Sequence, residues 1–226
     1  AVEEAIAEVE AASATAEAEE EKAEIPQDLF EPIVGYEDVK QLFRDALSSP
    51  KPTHILLYGP PASAKSMFLL ELDRLPKSHF ALGGQTSQVG LAEEMFQYAP
   101  KYLIIDELDD MPRYEQSVLK SLMESGVITV RKHNVRLRQK FSTWVFGACN
   151  NPKRLSDAVL SRFIKVHFDP YTPDQFREVV TSVLTKREGV DMDLAEYIAE
   201  KVGKFSRDPR DAIALSRVAK TKEKVD

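Results

Sequence analysis

The sequence has very few cysteines and no long apolar run. Cys149 is the only cysteine among 226 residues, so no intrachain disulfide can form. We expect Cys149 to be a small buried residue in a strand, and a chain that relies on no disulfide fits the reducing cytoplasm. The longest apolar runs hold four to six residues. A membrane-spanning helix needs about 20, so no membrane partner is expected.

Large apolar side chains are nearly missing from residues 1–24. This segment contains nine Glu and one Lys, a charge of −8, while the whole chain carries −7 and the other 202 residues therefore carry +1. Ala and Glu favour a helix, but the segment has little surface to bury. We interpret residues 1–24 as an acidic Ala/Glu-rich tail, disordered or loosely helical, that lies outside the folded core.

Apolar runs separated by helical patterns indicate the fold class. Apolar positions at helical spacing predict a first helix over residues 37–48. Five short, nearly continuous apolar runs follow, which is typical of parallel strands buried on both faces. The sequence therefore predicts an α/β core over residues 25–170, in which helices cover both faces of a five-stranded parallel sheet. The predicted strands are residues 54–58, 79–82, 102–105, 143–148 and 163–168.

The pattern changes at Tyr171. Three amphipathic segments with a period of 3.6 follow without an apolar run between them, so we expect a small all-α lid domain over residues 171–226. Two of these segments begin at Pro173 and Pro209, and proline is favourable in the first helical turn. The predicted helices are residues 173–186, 193–205 and 209–220.

A phosphate-binding loop follows the first predicted strand. The pattern Gly-x-x-x-x-Gly-Lys-[Ser/Thr] is met at Gly59, Lys65 and Ser66, but Ala64 takes the place of the second glycine. In such a loop the backbone N–H groups, a helix N-terminus and the lysine surround phosphates, and the hydroxyl at Ser66 can hold Mg²⁺. The candidate nucleotide-binding residues are Gly59, Pro60, Pro61, Ala62, Ser63, Ala64, Lys65, Ser66 and Met67.

Two acidic residues end the third predicted strand. Asp106 can join the coordination shell of Mg²⁺, and Glu107 can polarise a water for attack on the γ-phosphate. Taken alone, the pair could instead cap a helix, but its distance of about 40 residues from the phosphate loop favours a nucleotide site. Asp109 and Asp110 follow, and they fit a role beside the site as well as a solvated surface.

Together these segments resemble the AAA+ ATPase superfamily over residues 33 to about 220. The resemblance implies ATP and Mg²⁺ as ligands. It implies a polar residue that orients the attacking water, with Asn150 in the better register and Asn151 as the alternative. It makes Arg162 an arginine finger that reaches the site of a neighbouring subunit, and Arg210 a γ-phosphate contact within its own subunit. Taken alone, each arginine could form a surface salt bridge.

The same resemblance suggests contacts to the base and shows two departures in the loop. Ile33 and Val34 flank the adenine in the family, and Tyr171 stands where RuvB-type members place a tyrosine against the base, although all three could be packing residues. The departures are Ala62 and Ala64. MCM-type helicases also carry Ala-Lys-Ser here, and a Cβ at residue 64 is tolerable where φ is negative and costly where φ is positive.

A basic hairpin is predicted between the third and fourth strands of the sheet. Residues 126–141 contain two β-rich arms that meet at His133 and Asn134, and no acidic residue occurs from Ser125 to Ser156. The cations suit contact with a nucleic-acid backbone, or they keep a solvated hairpin from pairing with other edges. The candidate DNA-binding or partner-binding cations are Arg131, Lys132, Arg136, Arg138 and Lys140.

An insertion at this place resembles the pre-sensor-1 β-hairpin of RuvB, MCM helicases and MoxR-type ATPases, and residues 33–40 are most similar to RuvB. The resemblance implies a homo-oligomeric ring, a hexamer, that hydrolyses ATP and acts on DNA through the hairpin or the pore, as a helicase or a branch-migration motor. Two alternatives stay open. One is a MoxR-like protein-remodelling chaperone with a protein partner at the hairpin. The other is a weakly hydrolysing, nucleotide-gated structural subunit.

Overall fold

The computed structural model describes residues 25–61, 63–132 and 135–225, without the side chains of residues 130–132 and 135–137. It contains seven strands in this part of the chain. They are β1 (Ile55–Tyr58), β2 (Ser78–Leu82), β3 (Tyr102–Asp106), β4 (Val127–Lys132), β5 (Val135–Lys140), β6 (Trp144–Cys149) and β7 (Ile164–His167).

Five of these strands form one parallel sheet in the order β2-β3-β6-β1-β7. This confirms the predicted fold class, and each strand begins and ends within one residue of its predicted apolar run. The other two strands, β4 and β5, pair antiparallel, so the predicted hairpin is present. Its turn at His133 and Asn134, like the acidic segment 1–24, lies outside the described residues.

The described ranges contain eight α-helices, and none of them is long and apolar enough to cross a membrane. The predicted helices over 37–48 and 173–186 have the predicted bounds. The helices are α1 (Glu37–Ser48), α2 (Lys65–Leu72), α3 (Gln88–Tyr98), α4 (Ser117–Ser125), α5 (Asp157–Leu160), α6 (Pro173–Lys186), α7 (Met192–Val202) and α8 (Pro209–Val218).

Two helix ends differ from the sequence-based prediction. Helix α7 ends at Val202, where residue 205 was predicted, because Gly203 forms its C-cap and Phe205 lies beyond it with 76% of its surface exposed. Helix α8 ends at Val218, where residue 220 was predicted. In both cases the amphipathic pattern in the sequence runs past the last hydrogen-bonded turn, which is the least predictable part of a helix.

Different helices cover the two faces of the sheet. Ile55 and Leu57 of β1 pack against α1 and α2 on one face of the sheet. Leu56, which lies between them, packs on the opposite face with α3 and α4. Phe68 anchors α2 within this packing, since its ring centroid lies 5.2 Å from Phe30, 5.5 Å from Phe43 and 5.5 Å from Phe168. The helix that begins at the phosphate loop is therefore fixed by aromatic contacts from three other segments.

A buried carboxylate ties α2 to α6. Glu71 accepts hydrogen bonds from the Phe30 backbone N–H (3.2 Å), from Arg74 (2.7 Å) and from Arg187 (2.9 Å). One apolar cluster also runs from the sheet into α6, α7 and α8. The predicted division into a core over 25–170 and a lid over 171–226 stays a prediction, because packing is continuous across residue 170.

His54, directly before β1, is buried and neutral in the folded chain near neutral pH. Its Nδ1 accepts a hydrogen bond from the Val145 backbone N–H at 3.1 Å, and its other ring nitrogen bonds the backbone of Met123. Burial lowers the pKa of His54 below its ordinary value of 6.5, and the bond to Met123 opposes this shift only partly.

We expect His54 to make the stability of the chain depend on pH. Because its pKa is lower in the folded chain than in the unfolded chain, the unfolded chain binds more protons below pH 6.5. The free energy of unfolding should therefore fall as the pH falls through this range, by at most about 1.4 kcal/mol per pH unit from this group. Denaturant unfolding of the wild type and of His54→Gln between pH 5 and 8 measures the effect. A stability difference between the two proteins that stays constant over this range would contradict it.

Candidate functional site

The phosphate loop joins β1 to α2 in a conformation that explains both its glycine and its alanine. Gly59 has φ +150°, and a Cβ there would lie 2.0 Å from the Phe168 carbonyl oxygen, so a larger residue does not fit. Ala64 has φ −65° and ψ −8° directly before α2, which any L-residue adopts without strain. The structure thus removes the steric objection to Ala64, while Ala62 lies outside the described residues.

The Lys65 ammonium group is bound by the loop itself. Its Nζ donates to the carbonyl oxygens of Gly59 (2.8 Å) and Pro60 (2.7 Å) and to the Ser63 hydroxyl (3.0 Å). Lys65 is 5% exposed, and this burial lowers its pKa, although nearby acids, Asp106 among them, oppose the shift. A phosphate group that binds here would replace the loop carbonyls as the partner of this cation.

The two acidic residues lie opposite the start of α2. The Ser66 hydroxyl lies 3.5 Å from Oδ2 of Asp106, and Oδ1 of Asp106 accepts the Glu107 backbone N–H at 2.8 Å. Glu107 itself takes a left-handed conformation with φ +51°. A hydroxyl and a carboxylate at this separation fit Mg²⁺, which is typically bound by one or two protein oxygens together with substrate phosphates and waters. Within the described ranges no cluster of three or more His, Cys, Asp or Glu could hold a metal by itself.

The structure distinguishes the two asparagines after β6. Asn150 lines the same cavity as Lys65 and Glu107. The Asn151 side chain instead accepts the Lys153 backbone N–H at 3.2 Å and caps the short turn Pro152–Arg154. Because the Asn151 side chain is engaged in this cap and only Asn150 of the two lines the cavity, the geometry favours Asn150 as the predicted polar residue of the site.

Arg210 approaches the site from the first turn of α8. The Asp208 side chain caps α8 and forms a salt bridge with Arg210, in which Nη2 of Arg210 lies 2.7 Å from Oδ2 of Asp208. This contact raises the pKa of Arg210, and Asp106 and Glu107 raise it further. Arg210 therefore stays charged, and it faces Asp106 and Glu107 at the carboxyl end of β3.

These side chains share one cavity of about 140 Å³. Sites for whole drug-sized ligands usually measure roughly 300–1,000 Å³, so this cavity matches the phosphate end of a nucleotide rather than all of it. The cavity is lined by Pro61, Ser63, Lys65, Ser66, Met67, Leu70, Asp106, Glu107, Cys149, Asn150, Asp208, Pro209 and Arg210.

The residues predicted to contact the base lie elsewhere. Ile33 is 1% exposed and belongs to the core, and Val34 lines a separate groove beside α6 and α7. Tyr171 is also buried, its hydroxyl has no hydrogen-bond partner in the described structure, and burial raises its pKa. The structure does not bring these three residues to the cavity that holds Lys65, so their contact with a base stays a prediction.

Arg162 lies outside the cavity and is engaged within its own chain. Its guanidinium donates to the Ala158 carbonyl and forms a 2.7 Å salt bridge with Glu124 at the end of α4. A role in another subunit's site is a prediction that a single chain does not test. Of the hairpin cations, Arg138 and Lys140 are exposed, and the side chains of Arg131, Lys132 and Arg136 lie outside the description.

The structure separates the two acids that follow Glu107. Asp110 is exposed and pairs with Arg154 at 2.6 Å. Asp109 is 5% exposed and accepts backbone N–H groups from the segment after β6. Sequence reasoning left both interpretations open for Asp109, because its partners lie about 40 residues away and carry no local signal.

No protein-family model matches the chain. Among curated proteins, cell division protein C of Sulfolobus acidocaldarius is 26% identical over 90% of this chain and 62% of its own length. Replication factor C small subunit 1 of Pyrobaculum aerophilum is 26% identical over 87% of this chain and 60% of its own length. The chain thus spans less than two thirds of each of these relatives.

Solved structures show the same fold. The Thermotoga maritima RuvB Holliday junction branch migration motor superposes with a TM-score of 0.58 and 24% identity, over 85% of this chain and 64% of RuvB. The fold is therefore an α/β P-loop fold that is similar to the fold of RuvB.

We expect Ala64→Gly to change the nucleotide affinity by less than about threefold, because Ala64 has a negative φ and needs no glycine. The substitution should lower the free energy of unfolding by about 0.5–1 kcal/mol, since glycine loses more backbone entropy. Titration with a fluorescent ATP analogue and denaturant unfolding measure the two effects. A tenfold gain in affinity would mean that phosphate binding requires a positive φ at this residue.

Proposed function

We propose that this chain is the ATP-binding and ATP-hydrolysing part of a ring-forming AAA+ motor, RuvB-like, that acts on DNA. The observation that carries the proposal is the single cavity at the ends of β3 and β6, next to the phosphate loop. The cavity contains two cations for phosphates, Lys65 and Arg210, and two oxygen ligands for a metal, Ser66 and Asp106. It also contains two residues that can act on a water molecule, Glu107 and Asn150.

Each of these residues has a role that its position supports. Lys65 would exchange the loop carbonyls for phosphate oxygens, and Arg210 would add a second cation from α8. Glu107 would accept a proton from the attacking water, which Asn150 would orient. Bound Mg²⁺, held by Ser66 and Asp106, would supply positive charge to the phosphates.

The proposed assembly is a homo-oligomeric ring, a hexamer, in which Arg162 completes the site of the next subunit. Arg162 does not line the cavity of its own chain, which supports a role in the cavity of another subunit. In such a heterologous interface each subunit supplies a different surface to each neighbour. The Glu124 contact would then have to open, or to hold the guanidinium in place, when subunits meet.

Action on DNA is supported by the hairpin and by the names of related proteins. The hairpin of β4 and β5 lies between α4 and β6, as in the pre-sensor-1 group, and carries the exposed cations Arg138 and Lys140. RuvB is a Holliday junction branch migration motor, and three relatives are replication factor C subunits. The MCM-like Ala-Lys-Ser of the loop is compatible with the negative φ at Ala64.

We also propose a division of the chain into three parts. We assign residues 25–170 to the nucleotide-binding core, residues 171–226 to a lid that carries Arg210, and residues 1–24 to an acidic tail. The chain would work in the cytoplasm.

We expect Glu107→Gln and Arg162→Ala each to bind ATP and to lose hydrolysis by at least about a hundredfold. Mixed in equal amounts, the two inactive variants should recover about a quarter of the wild-type rate, because random assembly pairs an intact Glu107 with a neighbour's intact Arg162 at that fraction of interfaces. Steady-state phosphate release measures the recovery. Arg154→Ala is the control, because Arg154 is an exposed arginine for which no role between subunits is proposed. No recovery in the mixture would contradict the trans role of Arg162.

We expect neutralising Arg136 and Arg138 to weaken binding of branched or duplex DNA and to leave basal ATP hydrolysis unchanged. Loss of two phosphate contacts should reduce the slope of log affinity against log salt concentration by about 2. Fluorescence anisotropy at several salt concentrations measures the slope, with Lys222→Ala/Lys224→Ala as the charge-matched control. An unchanged DNA affinity would instead favour a protein partner at the hairpin.

A further inference from the structure

Asp109 lies in the short turn that carries Glu107 away from β3. The turn Leu108–Asp110 is a 3₁₀ helix, and Asp109 is buried within it. Its Oδ2 accepts the Asn151 backbone N–H at 2.8 Å, and its Oδ1 accepts the Asn150 backbone N–H at 3.3 Å. A carboxylate that is removed from water in this way needs hydrogen-bond donors. Its position is therefore tied to the positions of the Asn150 and Asn151 backbone N–H groups.

These two backbone N–H groups belong to the first two residues after β6. The peptide planes around Asn150 set the direction of its side chain, and Asn150 lines the cavity with Lys65 and Glu107. Asp109 is two residues from Glu107 along the chain. The short turn Leu108–Asp110 therefore directly follows Glu107, the carboxylate proposed to activate water, and through Asp109 it also fixes the backbone of Asn150, whose side chain is proposed to orient that water.

An outer set of contacts joins the same two segments at the surface. Asp110 pairs with Arg154, and Arg113 donates to the carbonyl oxygens of Lys153 (2.6 Å) and Arg154 (3.1 Å). These contacts are solvent-exposed, and exposed ion pairs contribute little to stability. Asp110 therefore offers a matched comparison for Asp109, since it is an adjacent carboxylate that bridges the same segments from the solvent side.

We propose that Asp109 is a positioning residue for ATP hydrolysis, which aligns Asn150 with Glu107 through hydrogen bonds to the Asn150 and Asn151 backbone. This inference rests on the proposed function, because it assigns Asp109 to the same hydrolytic site. Asp109 does not line the cavity and touches no reacting group. Its hydrogen bonds act on the segment after β6, and its charge also helps to hold up the pKa of Lys65 against burial, so the test must separate the two effects.

The central experiment compares Asp109→Asn with Asp110→Asn. Asparagine keeps the volume of Asp109 but offers one acceptor oxygen, and its NH₂ group would face a backbone N–H donor. We expect kcat for ATP to fall by about 10–100-fold in Asp109→Asn, as for residues that orient a catalytic group, with KM changed by less than about threefold. Asp110→Asn should stay within about twofold of the wild type in both constants.

A double-substitution cycle tests whether Asp109 acts through Asn150. In an Asn150→Ala background the positioned side chain is missing, so Asp109→Asn should cause less than about a twofold further loss of kcat. Two losses that multiply fully would overturn the inference, and so would a normal kcat in Asp109→Asn. Where Asp109→Asn lowers the melting temperature strongly, Asp109→Ser provides a second variant, because its hydroxyl can still accept one N–H.

Hydrogen exchange separates this inference from the proposed function. The Asn150 and Asn151 amides should exchange faster in Asp109→Asn than in the wild type or in Asp110→Asn, whether or not ATP is hydrolysed. A wild type that releases no phosphate would overturn the proposed hydrolysis and with it the positioning role of Asp109 in that reaction, while faster exchange would still verify the backbone contact. Unchanged exchange together with active wild-type hydrolysis would overturn the inference and leave the proposed function intact.

Discussion

The parallel register of β3, β6 and β1 sets the distances within the candidate site, because the last residues of all three strands share one edge of the sheet. Tyr58 lies beside Cys149 and Ile105 beside Gly147, so the segments that follow these strands begin at nearly the same level. The Gly59 N–H continues the ladder by donating to the Cys149 carbonyl at 3.3 Å. Since these strands are buried on both faces, a shift of one would expose apolar side chains and separate the loop from the acids.

Much of this arrangement could be predicted from the sequence, for a physical reason. A strand buried on both faces must be apolar at every position, so runs such as residues 102–105 mark it without an alignment, and Asp106 marks its end. The phosphate loop and the prolines before α6 and α8 are equally local signals. The ends of α7 and α8 were less predictable, because apolar spacing continues through Phe205 although the backbone hydrogen bonds stop earlier.

The parts of the site that sequence reasoning missed depend on contacts between distant residues. Nothing near Asp109 distinguishes it from the exposed Asp110, and only the return of the chain after β6 supplies the donors that bury it. The preference for Asn150 over Asn151, made on register alone, is supported by a local contact instead: the cap to Lys153 engages the Asn151 side chain, and Asn150 lines the cavity. The contacts of Lys65 are also local, since Gly59, Pro60 and Ser63 lie within six residues of it, but they form only in the conformation of the folded loop.

The charges in the cavity argue that one chain is an incomplete site for a triphosphate. Lys65 and Arg210 bring two positive charges, and Asp106 and Glu107 bring two negative charges into the same small volume. Asp208 further neutralises Arg210, and Lys65 is already satisfied by the loop carbonyls. A ligand with several negative charges would therefore enter a nearly neutral site, where electrostatic attraction is weak. The proposed metal and the proposed arginine of a neighbouring subunit would add the cations that balance such a ligand, which is the electrostatic argument for including both in the proposal.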